Sequence, residues 1–156
     1  MTREIVIKKV ETIEECLICN TMLEELIKFE SKFDEQINAF NKIENHYEKT
    51  LNKNDVVLFL AYNGEDVVGY VAAYKEKTNP ALNNDVVKIM NLYVIDKYRK
   101  QNIGKKLMNE VENWAKEQYN NFDIELDCIS SNQNAIAFYQ HLGYNPVRVK
   151  MRKSSN

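Results

Sequence analysis

The sequence predicts a mixed α/β fold, with a mostly antiparallel sheet and helices packed around it. Three observations lead there. β-rich runs and helical runs alternate irregularly, as one strand, two helices, three strands, helix, strand, helix and strand, which is not the repeating order of a doubly wound parallel sheet. Asn63-Gly64 separates two β-rich runs and is a strong hairpin signal. The strand pattern of Val86–Ile95 passes through a short basic turn into a helical stripe of Ile103, Leu107, Met108, Val111, Trp114 and Ala115.

Each element follows from local pattern. Ile5–Val10 reads as a first strand. Thr12 with Glu15 three residues on has capping-box spacing, and Ile13, Cys16, Leu17, Leu23, Leu26 and Ile27 recur at helical intervals. Ile37, Phe40, Ile43, Tyr47 and Leu51 predict a second amphipathic helix. Val56–Tyr62 and Val67–Tyr74 form the hairpin, Thr78–Asp85 a loop, and Val86–Ile95 a long strand. Phe122–Ile129 alternates, with Ile124, Leu126 and Cys128 on one face and Glu125, Asp127 and Ile129 on the other. Ala135–Leu142 reads as a short helix closed by Gly143, and Tyr144–Met151 as a last strand.

Composition narrows the function. A chain of 156 residues predicts one domain, residues 1–156, with no linker or internal repeat. Lys and Arg number 21 against 23 Asp and Glu, a net charge of −2, which argues against a nucleic-acid partner bound by bulk electrostatics. The longest apolar run, Val56–Tyr62, is far short of the ~20 residues that cross a membrane. Met1–Ile5 lacks the basic-then-apolar layout of a secretory leader. Three cysteines form no disulfide framework, so a reducing, cytoplasmic setting is expected. Cys16 and Cys19 read as core thiols on a helix. No metal site is expected, and His46 and His141 read as surface residues. The acidic residues Glu14, Glu15, Glu24, Glu25, Glu30, Asp34 and Glu35 read first as a solvated face, and second as an attractant for a cationic amine.

The stretch that carries chemistry is the turn Arg99-Lys100-Gln101-Asn102-Ile103-Gly104-Lys105. It links a buried strand to a helix N-terminus, where free amides and the positive end of the helix dipole favour a phosphate. Gly104 admits a close ligand approach. Read alone, the turn is also compatible with an ordinary basic loop. A nucleotide-binding phosphate loop would end Gly-Lys-Ser/Thr, whereas Lys106 follows Gly104-Lys105.

The turn resembles the acetyl-CoA motif of the GNAT superfamily of N-acyltransferases, with Arg99 at its first position and Gly104 at its last. Asn102 replaces the usual first glycine; Asn is the residue that best tolerates the left-handed region in its place. Downstream, Asn132-Gln133-Asn134-Ala135-Ile136-Ala137-Phe138-Tyr139-Gln140-His141-Leu142-Gly143-Tyr144 resembles the family's second signature. The two together span about residues 86–146. The resemblance implies a sheet of about six to seven strands flanked by about four helices, with a splayed parallel strand pair that binds acetyl-CoA. It implies that backbone groups of Leu92, Tyr93 and Val94 bond the pantetheine arm. The amides of Arg99, Lys100, Gln101, Asn102, Ile103, Gly104 and Lys105 would hold the pyrophosphate. Asn132 would guide the cofactor, and Tyr139 would protonate the leaving thiolate. Acetyl transfer to an amine needs a base, because an ammonium has no lone pair. Asp127 is the candidate, Glu125 the reserve, and Tyr93 an alternative wall of the acceptor pocket. Residues 11–55 and 75–85 are expected to shape the acceptor site, with a slight lean to a peptide or protein amine over a polyamine or aminoglycoside. A non-catalytic CoA-binding module is the rival reading, and a homodimer is a family expectation.

Overall fold

The computed structural model describes residues 3–155. Met1 and Thr2, part of the segment read against a leader, lie outside them. Five strands form one sheet in the order β1 (Ile5–Lys9), β2 (Val56–Asn63), β3 (Asp66–Lys75), β4 (Asp85–Val94) and β5 (Phe122–Glu125). The first three pairings are antiparallel and β4–β5 is parallel. Helices α1 (Ile13–Glu30) and α2 (Ile103–Gln118) cover opposite faces, and α3 (Gln133–His141) follows β5.

Period-two alternation on β2 explains the two cores. Val57, Phe59 and Ala61 face α2, where they meet Leu107, Val111 and Trp114. Leu58 and Leu60 face α1, where they meet Cys16, Cys19, Leu23 and Leu26. With both faces covered, β2 reads as a continuous apolar run. The Thr12 box forms as expected: its hydroxyl accepts from the Glu15 amide at 3.2 Å, and the Glu15 carboxylate accepts from the Thr12 amide at 3.1 Å. Gly64, at φ +66°, turns the hairpin, and Gly143, at φ +98°, ends α3. Both predicted core thiols, Cys16 and Cys19, are buried.

Three expected elements differ. The second amphipathic helix is absent; turns, bends and irregular chain occupy residues 31–46, and a single 3-10 turn spans Tyr47–Thr50. Local side chains take the amides a helix would need: Asp34 accepts from Gln36 and Asn38 from Phe40, each at 3.0 Å. Asn45, at φ +52°, leaves the right-handed helical region, and Phe40 is 87% exposed. The strand Phe122–Ile129 stops at Glu125. Tyr144–Met151 is no strand, despite its alternation. No described strand pairs with it, and Val147, Val149 and Met151 are 78, 86 and 89% exposed. The chain end is tied instead by Arg152, which donates two bonds of 2.8 Å to Asp34. Among the described residues the sheet therefore has five strands rather than six or seven, with three α-helices rather than four.

A buried polar chain fixes the 3-10 turn to the sheet. Asn20 of α1 donates to Glu48 and accepts from the Tyr47 amide. The Tyr47 and Tyr70 hydroxyls share a bond of 3.0 Å. Asn91 of β4 donates to the Tyr47 hydroxyl at 2.8 Å. Asn91 can turn to this face because Met90 is an extra residue: Ala73 pairs with Ile89 and Ala72 with Asn91.

Candidate active site

β4 runs on beyond its partner. Its parallel pairing with β5 ends at Lys88 opposite Glu125, whereas its antiparallel pairing with β3 continues to Val94. Six residues, 89–94, thus have no strand on the β5 side, and Leu92, Tyr93 and Val94 lie in that open stretch. Groups from both faces of the sheet can meet where the strands separate.

The turn after β4 carries two residues in the left-handed region, Lys100 and Asn102, both at φ +63°. Asn102 occupies the conformation that a glycine there would take freely. It is also the residue preceding α2, yet its side chain makes no capping bond, and the first turn of α2 holds no acidic residue. The first intrahelical bond runs from the Lys106 amide to the Asn102 carbonyl at 3.0 Å. The amides of Ile103, Gly104 and Lys105 precede it and have no intrahelical acceptor. Lys100, Gln101 and Lys105 are exposed around them, while Ile103 is buried. An anion therefore meets open donors, the dipole's positive end and lysine charge at one place.

Arg99 has a different task from the lysines. Its Nε donates to the Val94 carbonyl at 3.0 Å, and its Nη1 pairs with Asp96 at 3.2 Å. Its guanidinium lies 4.4 Å from the ring centroid of Phe29 and 5.7 Å from that of Tyr93. It clamps the end of β4 to the last turn of α1. Tyr93 packs on the α1 side with Met90 and Ile95, facing the region expected to take the acceptor.

Gly104 reads differently in three dimensions. A Cβ there would stand 2.9 Å from Cζ of Phe138 and 3.3 Å from its Cε1. Its missing side chain is thus room for α3 to dock on α2. Asn132 caps α3, accepting from the Ala135 amide at 3.2 Å. Tyr139 is partly buried, stacked edge-on with Phe138 and Tyr144 at 5.0 and 6.0 Å. No protein group among the described residues hydrogen-bonds its hydroxyl, and burial pushes its pKa well up, so it stays protonated across the physiological range.

The two candidate bases sit less centrally. Glu125 ends β5. Asp127 lies just past the strand, 87% exposed, with its carboxylate 2.7 Å from the Lys88 ammonium. Residues 76–84 close the paired end of β4 and β5, where Asn84 donates to Asp123 at 3.2 Å, remote from the donor turn. Two open depressions of about 450 and 350 Å³ also lie away from the splay. Among the described residues no group of His, Cys, Asp and Glu is arranged to hold a metal ion, and no helix is long and apolar enough to cross a membrane. Phe29 and Asn91 belong to neither motif, and in the sequence Glu30 stands only among the acidic residues that could draw a cationic amine. A further signal singles Glu30 out: it lies four residues past Leu26 and seven past Leu23, in register with the buried stripe of α1.

A splayed parallel pair beside an uncapped helix N-terminus, in a mixed sheet, defines the class of fold that the two motifs resemble. The chain belongs to the GNAT acetyltransferases: the model of the acetyltransferase (GNAT) family matches residues 20–144. Solved structures share the fold at low identity. A tetramutant of the BH1408 protein from Bacillus halodurans aligns over 96% of this chain and 99% of its own, at 16% identity and a TM-score of 0.82. An aminoglycoside acetyltransferase from an uncultured soil metagenomic sample, in complex with sisomicin, aligns over 97% of both chains at 20% identity and TM-score 0.70. AAC(6')-Iy, in complex with the bisubstrate analog CoA-S-monomethyl-acetylneamine, aligns over 98% of this chain and 99% of its own, at 16% identity and TM-score 0.68.

Proposed function

We propose that this protein transfers the acetyl group of acetyl-CoA to a primary amine by direct attack in a ternary complex. The observation that carries this reading is the open stretch of β4 running straight into the uncapped, acid-free N-terminus of α2. In this reading the whole chain works as one domain, with residues 86–146 holding the donor. The turn from Arg99 to Lys105 takes the pyrophosphate on its amides, with lysines as counter-charge. The free edge at Leu92, Tyr93 and Val94 takes the pantetheine arm. Asn132 caps α3 with its carbonyl oxygen and keeps its amide N–H groups for the donor. When bound, acetyl-CoA supplies an acyl carbon with a thiolate leaving group.

Tyr139 has the character this chemistry needs. Its hydroxyl is neutral and unbonded by protein, and in this reading it donates a hydrogen bond to the leaving sulfur. Holding both reactants in line supplies much of the remaining rate. The acceptor we favour is a cationic peptide or protein amine, on the resemblance of the Asp127–Asn132–Tyr139 spacing to N-terminal alanine acetyltransferases. A small polycationic amine is the second reading, because solved proteins of this fold include one in complex with sisomicin.

Thermal unfolding with and without acetyl-CoA tests the donor site, with ATP as control. At about 100 times its dissociation constant a ligand adds roughly 2.7 kcal/mol to the folded state. A shift with acetyl-CoA alone is expected. No shift, or an equal one with ATP, overturns the assignment. Release of free CoA in the presence of an amine then separates an enzyme from a binding module.

A further inference from the structure

We infer that Glu30, at the last position of α1, is the group that anchors the acceptor ammonium and takes its proton. This inference rests on the acetyltransferase reading above and deepens it.

The placement comes from contacts on either side of Glu30. Phe29 lies under the Arg99 guanidinium, and Arg99 bonds the Val94 carbonyl at the open end of β4. Phe33, one turn further on, offers its carbonyl to the Ser131 hydroxyl at 2.8 Å, next to the Asn132 cap of α3. The last turn of α1 is thus pinned to the donor turn, and the turn that follows it to the entrance of α3. Glu30 sits between the two pins. Its charge is felt at Tyr70 on β3, at Cys128 on the β5–α3 connection and at Tyr139 on α3. These three titratable groups, on β3, the β5–α3 connection and α3, are coupled to it electrostatically. Burial pushes each of them up, so all are neutral at pH 7.

Among the described residues Glu30 makes no ion pair and no side-chain hydrogen bond. Burial, with no compensating partner, raises its carboxyl above the ordinary carboxylate range. Asp127 is exposed, and its carboxylate is already paired with the Lys88 ammonium. An incoming alkylammonium supplies the positive charge that Glu30 lacks. A carboxyl of raised pKa is also the better base, since it narrows the gap to an amine near 10.4.

The step balances as follows. The ammonium gives one N–H proton to a Glu30 oxygen, and the freed lone pair forms the C–N bond at the thioester carbonyl carbon. The C–S bond breaks with its electron pair on sulfur, which Tyr139 faces as donor. A second N–H proton ends on that sulfur, giving amide and free CoA thiol. Glu30 returns its proton to water.

The test compares wild type, Glu30→Gln and Asp127→Asn. Free CoA is measured from pH 5 to 9 with an alanine-initiated tetrapeptide, spermidine, kanamycin and water alone as acceptors. Acetyl-CoA thermal shifts run alongside. Expected is a fall of roughly 10²-fold or more in kcat for Glu30→Gln. The acid limb of the wild-type profile, where Glu30 is protonated, should vanish with it. The acetyl-CoA shift should be kept, and folded stability near neutral pH should be equal or higher, because a desolvated charge is gone. Turnover within threefold of wild type, or an unchanged acid limb, overturns the role of Glu30 and leaves the acetyltransferase reading standing. An acid limb lost only in Asp127→Asn moves the base there. Acetyl-CoA binding with no CoA release from wild type overturns both the role and the enzyme.

Discussion

Gly104→Ala separates two accounts of the donor turn. If Gly104 serves only to let a ligand approach, the added methyl leaves the unliganded fold alone and weakens acetyl-CoA binding. The packing predicts otherwise. Carbon atoms settle about 3.5–4.0 Å apart, and the new Cβ would stand 2.9 Å from Cζ and 3.3 Å from Cε1 of Phe138. The ring, or α3 with it, must give by several tenths of an ångström. Overpacking of this kind costs about 1–3 kcal/mol. Phe138 is only partly buried, which favours the lower half of that range. Alanine's helix preference returns at most ~1 kcal/mol, and less at the second residue of a helix. The expected net loss is about 0.5–1.5 kcal/mol, read by urea denaturation without ligand. Phe138→Leu should relieve it, so the double-mutant cycle shows a favourable coupling of at least ~0.5 kcal/mol. A Gly104→Ala protein as stable as wild type, with no coupling to position 138, would refute the packing account.

Three further outcomes are expected. Asn102→Gly should leave stability equal or raised, whereas Asn102→Ala should fall about 1 kcal/mol below the glycine variant, because φ +63° strains an alanine; equal midpoints in urea would contradict this. Tyr47→Phe strips partners from the buried Tyr70 hydroxyl and from Asn91, so a loss of about 1–3 kcal/mol is expected by chemical denaturation, and a change under 0.5 kcal/mol would show the network idle. The Arg152 pair and the Gln36 amide depress the Asp34 carboxyl from 3.8 to about 2. That contribution is present above the ordinary value and is lost as pH falls from about 4 to about 2. Thermal midpoints of wild type should therefore exceed those of Arg152→Gln at pH 5 and converge with them at pH 2; a constant gap would place the effect outside this pair.

Much of the fold was legible because its signals are local. The Thr12–Glu15 box, the Asn63-Gly64 hairpin, the left-handed Asn102 and the Gly143 stop each depend on a few consecutive residues. The failures share a cause. Residues 37–51 have helical apolar spacing, yet Asp34, Asn38 and Asn45 take amides or dihedrals away from a helix, and Tyr47 is drawn into a bond with Asn91 across the sheet. Tyr144–Met151 has strand spacing, yet alternation cannot supply a partner edge. Periodicity states what a segment can bury, and pairing depends on chain far away.

The same contrast runs through the candidate site. The proposed donor half is backbone: a strand edge and helix amides whose positions follow from spacing along one stretch of chain. A motif can therefore mark it. On the proposed reading, the acceptor half depends on groups that distant segments bring together. Ser131 reaches Phe33, Arg152 reaches Asp34, and Glu30 acts on Cys128 and Tyr139. No fixed spacing links such residues, so the base chosen from sequence was the carboxylate nearest the motif, Asp127. Burial selects differently. A carboxylate on the apolar stripe of α1 costs desolvation energy in every folded molecule. Leu23 and Leu26 show what that stripe ordinarily holds. On the proposed reading, a charge kept there without a protein partner is offset when a cationic amine arrives, which is the event an amine acetyltransferase must recognise.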